Sequence, residues 1–173
     1  MLRYTSCYPY KKDWRYLINK SHKSWIHVFE TEDKQEVERK CRENEISYQW
    51  NPNDWLQISQ VRPSVMTHPQ TQEPLWFNQA HHFDLNPKFL GLWRYIGAKL
   101  LYFRKYTFLH DISFADNIKI PRKDLYHIFD VLEENTIYFP WQKNDVLVLD
   151  NLLMMHGLAP FKGKRRVLTA MTG

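Results

Sequence analysis

Residues 145–171 read DVLVLDNLLMMHGLAPFKGKRRVLTAM. The apolar run at 145–150 reads as a buried strand, and RRVLTAM at 165–171 reads as its partner. Between them, APFKGK holds Pro160 and Gly163, residue types that reverse a chain, so the turn centres near Phe161. His156 and Arg166 lie five residues either side of that point. They are therefore expected to stand near each other across the two strands. Their chemistries are complementary. An imidazole holds a metal or moves a proton, and a guanidinium grips a carboxylate with two prongs. One pocket holding both suits a dicarboxylate that also touches a metal. The competing reading is structural: a histidine at a strand end, and Arg165 and Arg166 as strand-end charges.

Working back from this stretch, ENTIYFPWQKNDVLVLDN at 134–151 predicts two strands separated by QKND. TEDKQEVERKCRENE at 31–45 reads as a helix that Thr31 can cap. Glu32 and Asp33 suit the positive end of its dipole, and Glu36 and Lys40 are spaced to pair. ISYQW and WLQISQVRPSVMTH alternate apolar and polar residues, as half-buried strands do. LWFNQAHHF, 75–83, is expected to be a strand end running into a pocket wall, with Asn78 and Gln79 facing the pocket. The spacing of Phe89, Leu90, Leu92, Trp93, Ile96, Leu100 and Leu101 predicts one amphipathic helix from Pro87 to about Phe108. HDISFADNIKI, 110–120, reads as a loop, followed by a helix from about Pro121 to Glu134 with Pro121 near its first position. The stretch before Ile26 shows no period and reads as irregular or extended. Strands at both ends with a helical insertion predict a strand-rich α+β domain. A doubly wound sheet is disfavoured, because no glycine-rich strand-to-helix turn occurs and the chain has only 5 glycines.

A chain of 173 residues suits one domain. A domain of this size buries roughly 70 % of its unfolded surface, so it needs neither disulfides nor a structural metal. Cys7 and Cys41 stand alone with no CxxC pattern, which fits a reducing, cytoplasmic setting. No run of apolar residues is long enough for a membrane span, and the first residues lack the apolar core of a signal peptide. The net charge of +5 is scattered. Its densest run, KGKRR at 162–166, reads as a solvated turn rather than a nucleic-acid patch. The 7 Trp, 10 Tyr and 10 Phe are expected to line the core or a pocket.

DVLVLDNLLMMHG followed by PFxGxRR closely resembles the C-terminal signature of the TauD/TfdA-like dioxygenases, and within them the SyrP-like group. HPQTQEPLWFNQAHHF at 68–83 matches that group's internal signature. FETEDKQEVERKCRENEISYQW and FPWQKNDV follow its pattern too, so the resemblance runs over nearly the whole chain. It implies a double-stranded β-helix (jelly-roll) core with helical insertions. It implies dependence on iron(II) and 2-oxoglutarate, with iron held by two histidines and one carboxylate. His156 falls on the family's distal iron histidine, and Arg166 on the arginine that grips the far carboxylate of 2-oxoglutarate. The family reaction splits 2-oxoglutarate to succinate and carbon dioxide and usually ends in hydroxylation of an unactivated C–H bond. The implied substrate is a small molecule, amino-acid-like or peptidyl, free or carrier-bound. In the taurine enzymes a second arginine four residues on holds the sulfonate; Ala170 stands there, so a sulfonate substrate is not supported.

The chain departs from the family in one respect. The HxD or HxE metal pair, and a threonine that helps hold 2-oxoglutarate, lie in the family ahead of the segment present here. Residues 1–173 are therefore expected to be the C-terminal portion of a single TauD/TfdA-like domain, N-terminally incomplete: a gene fragment or one half of a split protein. The expected partner is then a separately encoded N-terminal half, or a further copy of the chain. Incomplete strands and bare apolar faces predict a chain prone to associate. His82-Phe83-Asp84 does read HxD, but it lies inside the WFNQAH signature, so the match reads as accidental and His81 and His82 as hydrogen-bonding residues. His22, His27, His68, His110 and His127 show no partner spacing and read as surface or satisfied polar residues. The alternative from a different class is a non-catalytic remnant or carboxylate-binding module that keeps the site around Arg166. No nucleic-acid or membrane partner is expected.

Overall fold

The computed structural model describes residues 1–10, 23–84, 86–101, 110–157, 159, 161–164 and 166–171. Its centre is a four-stranded antiparallel sheet. The strands are β1 (Leu2–Tyr8), β2 (Ser47–Asn51), β3 (Trp55–Arg62) and β6 (His110–Phe114), in the order β2-β3-β1-β6. A short hairpin of β4 (Met66–Thr67) and β5 (Pro74–Leu75) stands apart from it. The helices are α1 (Trp25–Phe29), α2 (Lys34–Glu43), α3 (Ala80–Phe83), α4 (Pro87–Leu90), α5 (Leu92–Leu101) and α6 (Arg122–Glu134). Antiparallel strands with helices packed on them make an α+β architecture.

The register explains which side of the sheet is covered. Tyr4 stands opposite Gln60 and Ile112, and Ser6 opposite Ile58 and His110, while Tyr8 and Trp50 both face Leu56. Successive residues of a strand point to opposite faces, so these side chains share one face with Leu2. The other face carries Arg3, Thr5, Gln57, Ser59, Asp111 and Ser113, together with Cys7 and Trp55, which are buried. Two hydrophobic clusters cover the apolar face. In one, Leu2 and Ile112 pack with Ala80 of α3 and Leu125 of α6, flanked by Tyr4, Trp76 and Phe83. In the other, Leu56 packs with Trp25 of α1 and Val37 and Cys41 of α2, flanked by Ile46, Trp50 and Ile58.

Local chemistry sets the helix ends. Asp33 caps α2, its carboxylate accepting from the Gln35 amide at 2.9 Å. The expected cap, Thr31, instead accepts from the Asp33 amide, two residues too early to start the helix. Glu36 ion-pairs with Arg39 at 2.6 Å and with Lys40 at 3.8 Å. Glu38 accepts from Trp50 Nε1 at 2.9 Å and from the Tyr48 hydroxyl at 3.1 Å, pinning the helix onto β2.

Several expectations need correction. The opening, read as irregular or extended, is extended over Leu2–Tyr8, which as β1 pairs on both sides and is a central strand; residues 11–22 lie outside the described residues. The loop expected at 110–120 begins with β6, recruited by β1. The single helix expected from 87 to 108 is two, α4 and α5, because Gly91 takes φ +76 between them; residues 102–109 of that span lie outside the described residues. Its apolar positions Leu92, Trp93 and Leu100 are exposed rather than buried. The strands expected in 134–151 and 165–171 are not formed among the described residues. A strand needs a neighbouring ladder, and a lone hairpin is marginal without a surface to cover its apolar face. No described strand pairs with these runs, and Val146 and Val148 are 85 % and 86 % exposed.

Candidate functional site

A cavity of about 360 Å³ opens where the two hydrophobic clusters meet. Its floor is the middle of the sheet, Tyr4 and Ser6 of β1 and Ile58 and Gln60 of β3. Its wall is the segment after β5, Phe77, Asn78 and Gln79, with Phe83 of α3 and Arg62 at the rim. The expectation that LWFNQAHHF ends a strand and forms a pocket wall, with Asn78 and Gln79 on it, agrees with this arrangement. Asn78 holds the wall in place: its amide nitrogen donates to the Ser64 carbonyl at 2.6 Å and its oxygen accepts from the Ala80 amide at 3.0 Å. The Tyr4 ring meets Phe83 edge-on at 5.1 Å. The Tyr4 hydroxyl is buried with no hydrogen-bond partner in the structure, and burial pushes its pKa up to about 12, so it is a neutral donor. Ser6 Oγ and His110 Nδ1 lie 2.8 Å apart on adjacent strands.

Behind this wall His81 is buried beside His82, with ring centroids 4.1 Å apart, and meets Phe129 of α6 edge-on at 5.0 Å. Burial first, and the neighbouring His82 second, lower the His81 pKa to about 4, so its ring is neutral. Asp84 lies 3.8 Å from Arg122 of α6. Arg122 is thus a cation beside Asp84.

A second polar centre joins distant parts of the chain. His68, at the base of the β4–β5 hairpin, is 2 % exposed. Its Nδ1 accepts from the amides of Gln70 at 3.3 Å and Thr71 at 3.0 Å. That assigns the proton to Nε2, which donates to Asp150 Oδ2 at 3.2 Å. The other carboxylate oxygen accepts from the Leu152 and Leu153 amides at 2.9 and 3.3 Å. These bonds, the one from Leu152 foremost, hold the Asp150 carboxyl below its usual pKa. Sequence reasoning left His68 as a satisfied polar residue, which it is, but missed its partner 82 positions away. The available signal was local: an aspartate opening DNLL is a natural acceptor for amides two and three residues on.

His156 and Arg166 are both exposed, neither lies in a strand, and no hydrogen bond or ion pair joins them. Arg165 lies outside the described residues. Among the described residues no group of three or more His, Cys, Asp or Glu side chains is placed to hold a metal ion. The described residues therefore do not by themselves fit an iron centre.

The family model described as taurine catabolism dioxygenase TauD, TfdA family matches residues 14–172. The chain belongs to the TauD/TfdA dioxygenase family. It is 35 % identical over 153 residues to Dapdiamide synthesis protein DdaC of Enterobacter agglomerans, an alignment covering 86 % of this chain and 44 % of that protein. It is also 35 % identical over 60 residues to Clavaminate synthase-like protein At3g21360 of Arabidopsis thaliana, covering 35 % of this chain and 18 % of that one. The chain thus spans less than half the length of the curated TauD/TfdA relatives it matches. Among the described residues no helix is long and apolar enough to cross a membrane.

Proposed function

We propose that this chain is part of an iron(II)- and 2-oxoglutarate-dependent oxygenase that hydroxylates a small-molecule or amino-acid-like substrate, free or carrier-bound. The observation that carries the reading is the family match over residues 14–172. In this reading His156 is one iron ligand, and Arg166 holds the far carboxylate of 2-oxoglutarate by a two-pronged, charge-assisted contact. The cavity under Phe77, Asn78 and Gln79 is where the substrate lies. Its aromatic and aliphatic walls with a few polar groups suit a small amphipathic molecule. The completed fold is a jelly roll in which the runs at 145–150 and 165–171 gain the ladder partners they lack here. The exposed apolar side chains of those runs support this. The buried free thiols of Cys7 and Cys41 fit a reducing, cytoplasmic setting. The remaining iron ligands come from a polypeptide segment beyond the described residues, or from another copy of the chain.

One observation favours a second reading, a non-catalytic carboxylate-binding module of the same family: the described residues gather no three-ligand metal group. One experiment separates the two. The purified 173-residue chain is incubated with 2-oxoglutarate, iron(II), ascorbate and air, and succinate is measured. The oxygenase reading expects succinate that disappears in His156→Ala, from the chain alone where another copy supplies the remaining ligands and otherwise once a segment carrying them is added back. The module reading expects none in either case, together with 2-oxoglutarate binding that needs no iron and is lost in Arg166→Gln. Succinate formation unchanged by His156→Ala removes the assignment of His156.

A further inference from the structure

We propose that His68 and Asp150 form a positioning clamp, holding the turn that leads into His156 against the β4–β5 hairpin. The inference deepens the reading of His156 given above and rests on it for its functional meaning. Its geometry stands independently.

Three features make this pair more than a surface contact. First, the imidazole is committed. Two backbone amides occupy Nδ1, so only Nε2–H is free to face the carboxylate. Second, the backbone of His68 is committed as well. Its amide donates to the Glu73 carbonyl at 2.9 Å and its carbonyl accepts from the Gln72 amide at 3.0 Å, so the ring is anchored to the closed end of the hairpin. Third, Asp150 is shared between two jobs. Oδ2 receives the His68 proton, while Oδ1 takes the Leu152 and Leu153 amides and its carbonyl takes the Met154 amide at 2.9 Å. One carboxylate thus shapes the turn and docks it. His156 follows six residues after Asp150. The pair is a positioning device: neither side chain is placed to touch a substrate.

The shared carboxylate gives a sharp chemical test. In Asp150→Asn the amide oxygen can keep the turn, but the NH2 group then faces His68 Nε2–H, a donor against a donor. The imidazole cannot switch tautomer without losing two backbone bonds. His68→Gln relieves the donor clash, because its amide can turn its oxygen toward the asparagine, although the Gln70 and Thr71 amides then lose their acceptor. The double variant is therefore expected to recover part of what Asp150→Asn loses.

The readout is the position of His156, followed by paramagnetic broadening of its ring signals from a nitroxide attached at Gln70→Cys in the full chain. The unaltered chain and His68→Gln, which keeps a donor toward Asp150, are expected to show the broadening. Asp150→Asn is expected to lose most of it and to exchange the His68 ring proton about tenfold faster, the factor expected for one net hydrogen bond. The double variant should restore part of the broadening. Equal broadening in Asp150→Asn and the unaltered chain would overturn the clamp, as would a double variant no better than Asp150→Asn. Succinate formation unchanged by His156→Ala, alongside the expected broadening pattern, removes the metal role of His156 and leaves the clamp standing.

Discussion

The histidines show how far single residues can be understood from their neighbours. His81 is 2 % exposed, and its Nδ1 is buried without a hydrogen-bond partner. Nothing there compensates a positive charge, which is why its pKa falls to about 4. In the unfolded chain the ring titrates near 6.5. Between these values the unfolded state binds a proton that the native state refuses. The contribution of His81 to stability is therefore fully present above pH 6.5 and is lost as pH falls, levelling off near pH 4. By then the loss is on the order of 2 kcal/mol. His81→Phe is expected to flatten this limb of a stability-versus-pH profile measured by urea unfolding; an unchanged slope would show that another group carries it. Asn78 and Gln79 were legible as pocket residues because a polar pair within an aromatic run must find partners or line a cavity. The His68–Asp150 pair was not legible, because no periodicity links residues on a hairpin to a turn so far along the chain.

At the scale of elements, α2, β2, β3 and α6 were readable from period, caps and alternation. The strand failures share one cause: strand identity depends on neighbours. β1 lacks a clean apolar alternation, since Ser6 falls on its apolar side and Cys7 on its polar side, yet it is the strand that both β3 and β6 flank. The runs at 145–150 and 165–171 look like better strands and form none among the described residues. The split between α4 and α5 has a local cause. Gly91 takes φ +76, a region that costs a side-chain-bearing residue roughly 1–2 kcal/mol, and a Cβ there would meet nothing within 4 Å. Gly91→Ala therefore isolates backbone strain from crowding. It is expected to lower stability by about 1 kcal/mol in chemical denaturation. A stabilised variant would mean that a continuous helix, as the apolar spacing suggests, is the better packing.

At the scale of the whole molecule, apolar surface is distributed unevenly. Leu56, Trp25 and Val37 are fully buried, while Trp93 of α5 is 83 % exposed and Val146, Val148, Leu168 and Met171 are as bare. Exposed large apolar side chains in such number favour association. The net charge of +5 gives copies of the chain a mild mutual repulsion. Salt screens that repulsion and leaves the hydrophobic drive intact, so association should strengthen as sodium chloride rises. Sedimentation velocity is expected to show a mean mass that climbs with protein concentration and with salt. The paired substitution Val146→Asp and Val148→Asp should reduce that climb. Because neither valine contributes to a buried cluster, the pair should leave the urea midpoint nearly unchanged, within about 0.5 kcal/mol per site. A chain that stays monomeric at every concentration and salt level would mean that these apolar runs are covered by the chain itself in solution, as strands of a closed sheet would be.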